Sequence, residues 1–163
     1  MPSKDMTKEM VQKMKEIAYE AHKGQKREHS GEDYIEHPRR IAERFEPDDV
    51  AVKHDLVDDI YLRQAVAWGH DLFEDTDVTA EDLRAAGIPE EVIFGIDLLT
   101  RKEGESYYDF IVRIAEVDES HQYWFHYRWV KQADIEDNMR DLPEHMWMMR
   151  DRYQFARHVL IHG

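Results

Sequence analysis

Cysteine is absent from the 163 residues of this sequence, which excludes disulfide-stapled scaffolds and every chemistry that needs a thiolate. Long apolar runs are missing too, and no segment approaches the length that is needed to cross a bilayer. The first five residues, Met1 to Asp5, contain no apolar stretch of the kind that a signal peptide requires. We therefore expect a soluble, cytoplasmic protein.

Positive charge is also scarce. Lys and Arg together number 22 against 36 Asp and Glu, which gives a formal net charge of −14. Such a surface repels nucleic acid and anionic membranes, so we expect neither as a partner. A phosphate-bearing ligand would need a local basic patch, and five cations cluster early in the chain: Lys23, Lys26, Arg27, Arg39 and Arg40. The alternative is that these cations only balance nearby carboxylates.

Sustained alternation of period two is absent, and helical periodicity takes its place. Apolar residues recur every three or four positions from Met6 to Ala21, which predicts an amphipathic helix that ends near Gly24. Further helices are predicted from Pro38 to Phe45, from about Asp58 to Leu72, after Thr79, from Pro89 to about Leu99, after Ser106, from about His121 to Leu142 and from Pro143 to about Ile161. The pattern predicts an all-α fold in a single domain over residues 1–163.

The stretch from His70 to Thr76, HDLFEDT, concentrates groups that can bind a metal and move a proton. On a helix, Glu74 and Asp75 lie about one turn beyond His70 and Asp71. A neutral imidazole and a carboxylate suit a borderline divalent ion, and a free carboxylate nearby can act as general acid or base on the water that the ion activates. The stretch by itself also fits a solvated, acidic helix end.

An ion held by one His-Asp pair would be poorly fixed, so a metal site needs ligands from elsewhere in the chain. His37 begins a predicted helix after a polar loop, and Asp134 lies in a predicted helix where Lys131 and Asn138 share its face. A buried Lys, Asp and Asn in one stripe is costly unless the three are paired or bind something. Two histidines and two carboxylates suit Mn, Fe or Zn without choosing among them.

Four segments resemble, in the same order, the motifs of the HD-domain (p)ppGpp hydrolases, which include the hydrolase halves of Rel/Spo proteins and the small stand-alone alarmone hydrolases. The segments are AHKGQKR (residues 21–27), SGEDYIEHP (30–38), HDLFEDT (70–76) and VKQADIEDNMR (130–140). The resemblance covers residues from about 5 to 142. It implies an HD-domain helical bundle, here of roughly eight to ten helices.

The resemblance also implies a site. Its single metal ion is manganese, with iron or zinc as alternatives, and its ligands are His37, His70, Asp71 and Asp134. The implied catalytic acids are Glu74 and Asp75.

Five side chains are expected to contact the substrate: Arg27, Lys131, Asn138, Arg140 and Asp141. In the family, the arginine that corresponds to Arg27 lies against the purine base, and the asparagine that corresponds to Asn138 contacts the ribose. Lys131 and Arg140 offer charge to the phosphates, although Lys131 could instead pair with a neighbouring acid. Asp141 could accept hydrogen bonds from guanine or reject that base.

The implied reaction is hydrolysis of the 3′-pyrophosphate of guanosine tetra- or pentaphosphate, which releases pyrophosphate and links the chain to the stringent response. Two alternatives stay open: an HD phosphohydrolase that acts on a dNTP, an NMP or NADPH, and a nucleotide-binding regulator that does not turn over. Homo-oligomerisation is also open. Most rings of the aromatic segment 123–129 are expected in the core, and the rest at the pocket or a subunit contact.

Overall fold

Nine helices make up the regular structure of the computed structural model, which describes residues 6–48 and 56–163. They are α1 (Lys8–Ala21), α2 (Glu36–Glu43), α3 (Val57–Gly69), α4 (Leu72–Asp75), α5 (Ala80–Ala85), α6 (Glu90–Leu98), α7 (Tyr107–Glu116), α8 (Trp124–Arg140) and α9 (Trp147–His162). The only strand-like pairing within these ranges is an isolated bridge between Lys26 and Asp33. The predicted all-α fold is confirmed; the N-terminal five residues lie outside the described part.

Side-chain caps begin three of the described helices, at Thr7, Thr79 and Ser106, and the sequence predicts the last two. Thr79 accepts a hydrogen bond from the backbone N–H of Asp82, and the Asp82 carboxylate accepts one from the N–H of Thr79. Ser106 accepts from the N–H of Asp109 at the start of α7. Each cap satisfies backbone donors that the first turn of a helix leaves unpaired.

Three predicted boundaries are wrong. Helix α3 ends at Gly69 rather than Leu72, and His70 and Asp71 form the turn that leads into α4. Helix α8 begins at Trp124 rather than His121, because the His121 ring accepts the N–H of Tyr123 and holds that segment in a turn. Helix α9 begins at Trp147, since the residues from Pro143 onward first form a tight turn.

Helix α3 lies at the centre of the bundle and packs against α1, α2, α6 and α8. Small residues allow this close approach. A Cβ atom added to Gly95 of α6 would lie 2.6 Å from Cε1 of Tyr127, and one added to Gly69 would meet the side chains of Ile96 and Met14. Neighbours on several sides therefore fix the end of α3, which directly precedes His70.

The aromatic segment 123–129 divides between core and surface. Tyr123 and Tyr127 are buried, and the Tyr127 hydroxyl donates to the carbonyl of Glu91 at 2.9 Å. Trp129 is 43% exposed and stacks against the guanidinium of Arg63, 4.3 Å from the ring centroid. Core packing is confirmed for part of the segment. No described helix is long and apolar enough to span a membrane.

His126 gives the fold a testable pH dependence. Its Nδ1 accepts a hydrogen bond from Nε of Arg63 at 2.6 Å, which requires a neutral ring. Burial and the charge of Arg63 lower the pKa of His126 to about 3. Because an unfolded histidine has a pKa of about 6.5, its neutral form stabilises the fold above that pH, and this contribution is lost as the pH falls towards the folded value.

We expect the free energy of unfolding of the His126→Gln variant to fall less than that of the wild type between about pH 7 and pH 5. Glutamine keeps an acceptor for Arg63 but cannot take up the proton. Urea denaturation across the pH range measures the difference. His158→Gln, at an exposed position on α9, is the control and should follow the wild type. Parallel curves for all three proteins would refute this role of His126.

Candidate metal centre and substrate cleft

Four predicted ligands converge at one buried point. His37 comes from α2, His70 and Asp71 from the turn after α3, and Asp134 from α8. Nε2 of His37 lies 3.2 Å from Nε2 of His70 and 3.0 Å from Oδ1 of Asp134, and Nε2 of His70 lies 2.9 Å from Oδ2 of Asp71. Donor atoms about 2.1 Å from one ion in a tetrahedral arrangement are roughly 3.4 Å apart, so this spacing fits a single ion.

Hydrogen bonds orient both imidazole rings. Nδ1 of His70 donates to the carbonyl oxygen of Ala67 at 2.7 Å, and Nδ1 of His37 donates to Oδ2 of Asp137 at 2.6 Å. With the hydrogen on Nδ1, each ring turns the lone pair of Nε2 towards the other and towards two carboxylates. Two lone pairs and two negative charges that meet at one point fit a cation bound between them.

A local charge favours the ionised form of Asp134. Burial alone raises the pKa of Asp134, but the adjacent charge of Lys131 holds it well below its ordinary value. Nζ of Lys131 donates to Oδ2 of Asp134 at 2.7 Å, and Nδ2 of Asn138 donates to Oδ1 at 3.0 Å. The stripe on α8 is thus paired, and Lys131 takes the role of partner to an acid.

A further carboxylate, Asp137, holds the ring of the predicted ligand His37 and was not itself predicted. Asp137 is buried and accepts from Nε of Arg40 at 2.7 Å, while Arg40 reaches back to both carboxylate oxygens of Glu32 at 2.7 and 2.9 Å. The one sequence signal is that Asp137 follows Asp134 by three residues and so shares its face of α8. The network ties the loop before α2 to the site.

Glu74 and Asp75 lie at the mouth of the same cleft, on α4. The Glu74 carboxylate accepts the backbone N–H of Arg101, and Asp75 accepts the hydroxyl of Tyr34 at 3.0 Å. Both acids reach solvent, yet the partial burial of their carboxyl groups and the nearby charge of Asp71 raise the pKa of each. A carboxyl group with a raised pKa beside a metal site suits proton transfer.

Two adjoining cavities form the cleft. One cavity, of about 290 Å³, is lined by three of the four predicted metal ligands, all except His70. Glu74 and Asp75 also line it, together with the cations Arg101, Lys131 and Arg152. The other, of about 210 Å³, is lined by further polar side chains that include Arg27, Ser30 and Asp141. The two share four lining residues: Tyr34, Asn138, Met149 and Tyr153. The cleft therefore has a metal side and a second side that offers several hydrogen-bonding groups.

The predicted substrate residues do not all reach this cleft. Lys131 and Asn138 line the metal side, and Arg27, Asn138 and Asp141 line the other. Arg140 is exposed and is not among the residues that line either cavity. Sequence reasoning missed Arg101 and Arg152, because neither belongs to a motif and only the packing of their segments brings them to the metal side.

Most of the early cations balance carboxylates, as in the alternative interpretation. Lys26 pairs with Asp33, Arg39 with two glutamates of α2, and Arg40 with Asp137 and a loop glutamate. Arg27 instead turns to the cleft, where its Nη2 donates to Oδ1 of Asn138 at 3.1 Å.

Comparison with protein-family models and with curated proteins finds no match. Among solved structures, the chain is similar to that of a metazoan ortholog of SpoT, which hydrolyzes ppGpp and plays a role in starvation responses. The TM-score is 0.69 at 18% sequence identity, over 100% of this chain and 88% of that one. The predicted helical bundle is confirmed as a fold that the chain shares with that protein. At this identity the likeness concerns the fold, and the chemistry rests on the side chains described above.

Replacing Asp137 with Asn should weaken metal binding. The neutral amide no longer polarises the His37 ring, and losing such a partner typically lowers metal affinity or activity about 10- to 100-fold. We expect the dissociation constant for Mn²⁺ to rise by about that factor in isothermal titration calorimetry. The control is Glu136→Gln, because the neighbouring Glu136 pairs at the surface with Arg44 and Arg157. Equal affinities in the three proteins would show that Asp137 does not support the ligand.

Proposed function

We propose that this protein is a metal-dependent phosphohydrolase that acts on a phosphorylated nucleotide. Its first candidate substrate is guanosine 3′,5′-bis(diphosphate), from which it would remove the 3′-pyrophosphate. The observation that carries the proposal is the position of Glu74 and Asp75, two acids with a raised pKa, in the same cavity as an imidazole and carboxylate cluster. Proton-transfer groups and a metal site in one cleft are what phosphate-ester hydrolysis requires.

The residues that would hold the ion are His37, His70, Asp71 and Asp134. Their two nitrogen and two oxygen donors suit Mn, Fe or Zn, and the resemblance to the (p)ppGpp hydrolases favours Mn. When bound, such an ion supplies a Lewis acid that activates water and withdraws charge from a phosphoryl oxygen. The four side chains need no large rearrangement for this, because their donor atoms already lie close together.

The other side chains of the cleft fit the remaining demands of the reaction. Lys131, Arg101 and Arg152 offset the negative charge of the phosphates, which a chain of net charge −14 would otherwise repel. Arg27 and Asp141 offer a cation and an acceptor to the nucleoside in the second cavity. The second cavity adjoins the first, as a substrate that carries phosphates on a nucleoside requires.

The reaction balances with groups that the cleft provides. The oxygen of water bonds to the phosphorus next to the 3′ oxygen, and the bond between that phosphorus and the 3′ oxygen breaks. One carboxyl group of the pair Glu74 and Asp75 accepts a proton from water, and the other donates one to the leaving 3′ oxygen. The products are pyrophosphate and a free 3′ hydroxyl.

Two lines support this substrate over others. The sequence carries four segments that resemble those of (p)ppGpp hydrolases, and the protein of similar fold hydrolyzes ppGpp. The carboxylate of Asp141 is the feature that bears on the base. Its Oδ2 is buried with no hydrogen-bond partner among the described residues, so it would accept from the N–H groups of a base that fits there. Another nucleotide with suitable donors is the second candidate.

A panel of nucleotides tests the proposal. We expect the wild type with Mn²⁺ to release pyrophosphate from ppGpp, and we expect Glu74→Gln to lower kcat by about 10²- to 10⁴-fold, because glutamine keeps the contact to Arg101 but cannot transfer a proton. Chromatography of the products measures both. Glu81→Gln is the control, since Glu81 is an exposed partner of Arg84.

Other outcomes would assign another function. Intact ppGpp beside a cleaved dNTP, NMP or NADPH would keep the hydrolase and replace the substrate. Equal nucleotide binding by wild type and Glu74→Gln, with no hydrolysis by either in Mn, Fe or Zn, would favour a nucleotide-binding regulator.

A further inference from the structure

Tyr34 links the metal ligands to the catalytic acids. It lies at the end of the loop between α1 and α2, and its hydroxyl is 2.7 Å from Oδ2 of Asp71 and 3.0 Å from Oδ2 of Asp75. Asp71 is a candidate metal ligand, whereas Asp75 is a candidate acid. A single hydroxyl therefore fixes the separation of two carboxylates that have different roles.

The ring of Tyr34 is held from several directions. It stacks on the buried ring of His22, with centroids 4.8 Å apart and planes at 24°. The guanidinium of Arg27 lies 5.8 Å from the ring centroid on the cleft side. These contacts fix the ring without help from the hydroxyl, so the hydroxyl hydrogen bonds are free to act on the two carboxylates rather than to place the ring.

The loop is also fastened to the backbone of α4. Nε2 of Gln25 donates to the carbonyl oxygen of Asp75 at 2.8 Å, and the N–H of Tyr34 donates to the carbonyl oxygen of Gln25 at 2.9 Å. Nδ1 of His22 pairs with Oε1 of Gln25 at 2.8 Å, which orients that amide. The loop therefore holds the last turn of α4 by its backbone and the Asp75 carboxylate by the Tyr34 hydroxyl.

The Tyr34 hydroxyl faces two carboxylates at once. A phenol has only one hydrogen to donate, and the shorter contact is to Asp71. The hydroxyl hydrogen is therefore shared, with the shorter hydrogen bond to Asp71 and the longer, weaker one to Asp75. The carboxyl group of Asp75 retains the capacity to exchange a proton with water or substrate.

We propose that Tyr34 is a positioning residue for the hydrolysis, and that its hydroxyl holds the carboxyl group of Asp75 in register with the metal ligand Asp71. This inference rests on the proposed function. Tyr34 acts through Asp75, and its removal should slow the chemical step more than it weakens the binding of substrate or metal.

The variant Tyr34→Phe removes the hydroxyl and keeps the ring between His22 and Arg27. At saturating Mn²⁺ we expect kcat to fall about 10- to 100-fold, while KM changes by less than about threefold. The same substitution in an Asp75→Asn background should lower kcat by less than about twofold, because the two residues act as one unit. A merely structural effect would instead multiply with that of Asp75→Asn.

Tyr127→Phe is the matched control. It also removes a tyrosine hydroxyl that donates one hydrogen bond, here to the carbonyl of Glu91, away from the cleft. We expect its kcat to equal that of the wild type even where its thermal midpoint falls. If Tyr34→Phe regains wild-type kcat once Mn²⁺ is raised to saturation, the hydroxyl only supports the metal ligand and the proposal is overturned.

A structural readout separates this inference from the proposed function. Crystal structures of wild type and Tyr34→Phe, both with Mn²⁺, should show the Asp75 carboxyl group ordered beside Tyr34 in the first and displaced or split between positions in the second. An Asp75 that stays in place in Tyr34→Phe refutes the positioning role, whatever the activity. A displaced Asp75 in a protein that hydrolyses no nucleotide supports the positioning role and refutes the function instead.

Discussion

Two carboxylates and two imidazole lone pairs face one another inside the bundle and repel one another. The surrounding residues must offset this repulsion for the site to hold its shape. Lys131 and Asn138 donate to Asp134, Tyr34 donates to Asp71, and a backbone carbonyl or Asp137 holds each imidazole hydrogen on the far nitrogen. Each of these hydrogen bonds restricts the movement of a side chain in the cluster. Together they hold the four side chains close to one another.

Helix α8 carries most of these partners in two turns, which explains its unusual composition. The face that packs against the core includes Lys131, Asp134 and Asp137 beside Tyr127 and Val130. Buried polar groups of this kind destabilise a helix packing face unless each one is paired, and here each has a partner at hydrogen-bond distance. The aromatic and aliphatic residues of the same helix supply the apolar contacts that the polar ones cannot.

The motifs predict ligands by combining residue type with spacing, and the structure places the four predicted side chains together. Helix starts at Thr79 and Ser106 are equally readable, since a cap is a local signal. The end of α3 is not, because Gly69 allows close packing against Ile96 and Met14, which no local pattern reveals. Asp137 and Arg40 are 97 positions apart, so no local pattern could join them. Contacts between residues far apart in the sequence are therefore the part that local patterns do not predict.

The loop between α1 and α2 contacts both halves of the cleft, through Gln25 and Tyr34 beside the histidine and carboxylate cluster and through Arg27 in the second cavity. Surface loops ordinarily tolerate changes in length, because their ends alone are anchored. This one is anchored along its course, so an added residue would shift either the arginine or the tyrosine out of reach. We expect the exposed tip around Ser30 to tolerate changes in length, whereas contacts on either side of it fix the number of residues from Gln25 to Arg27 and the position of Tyr34.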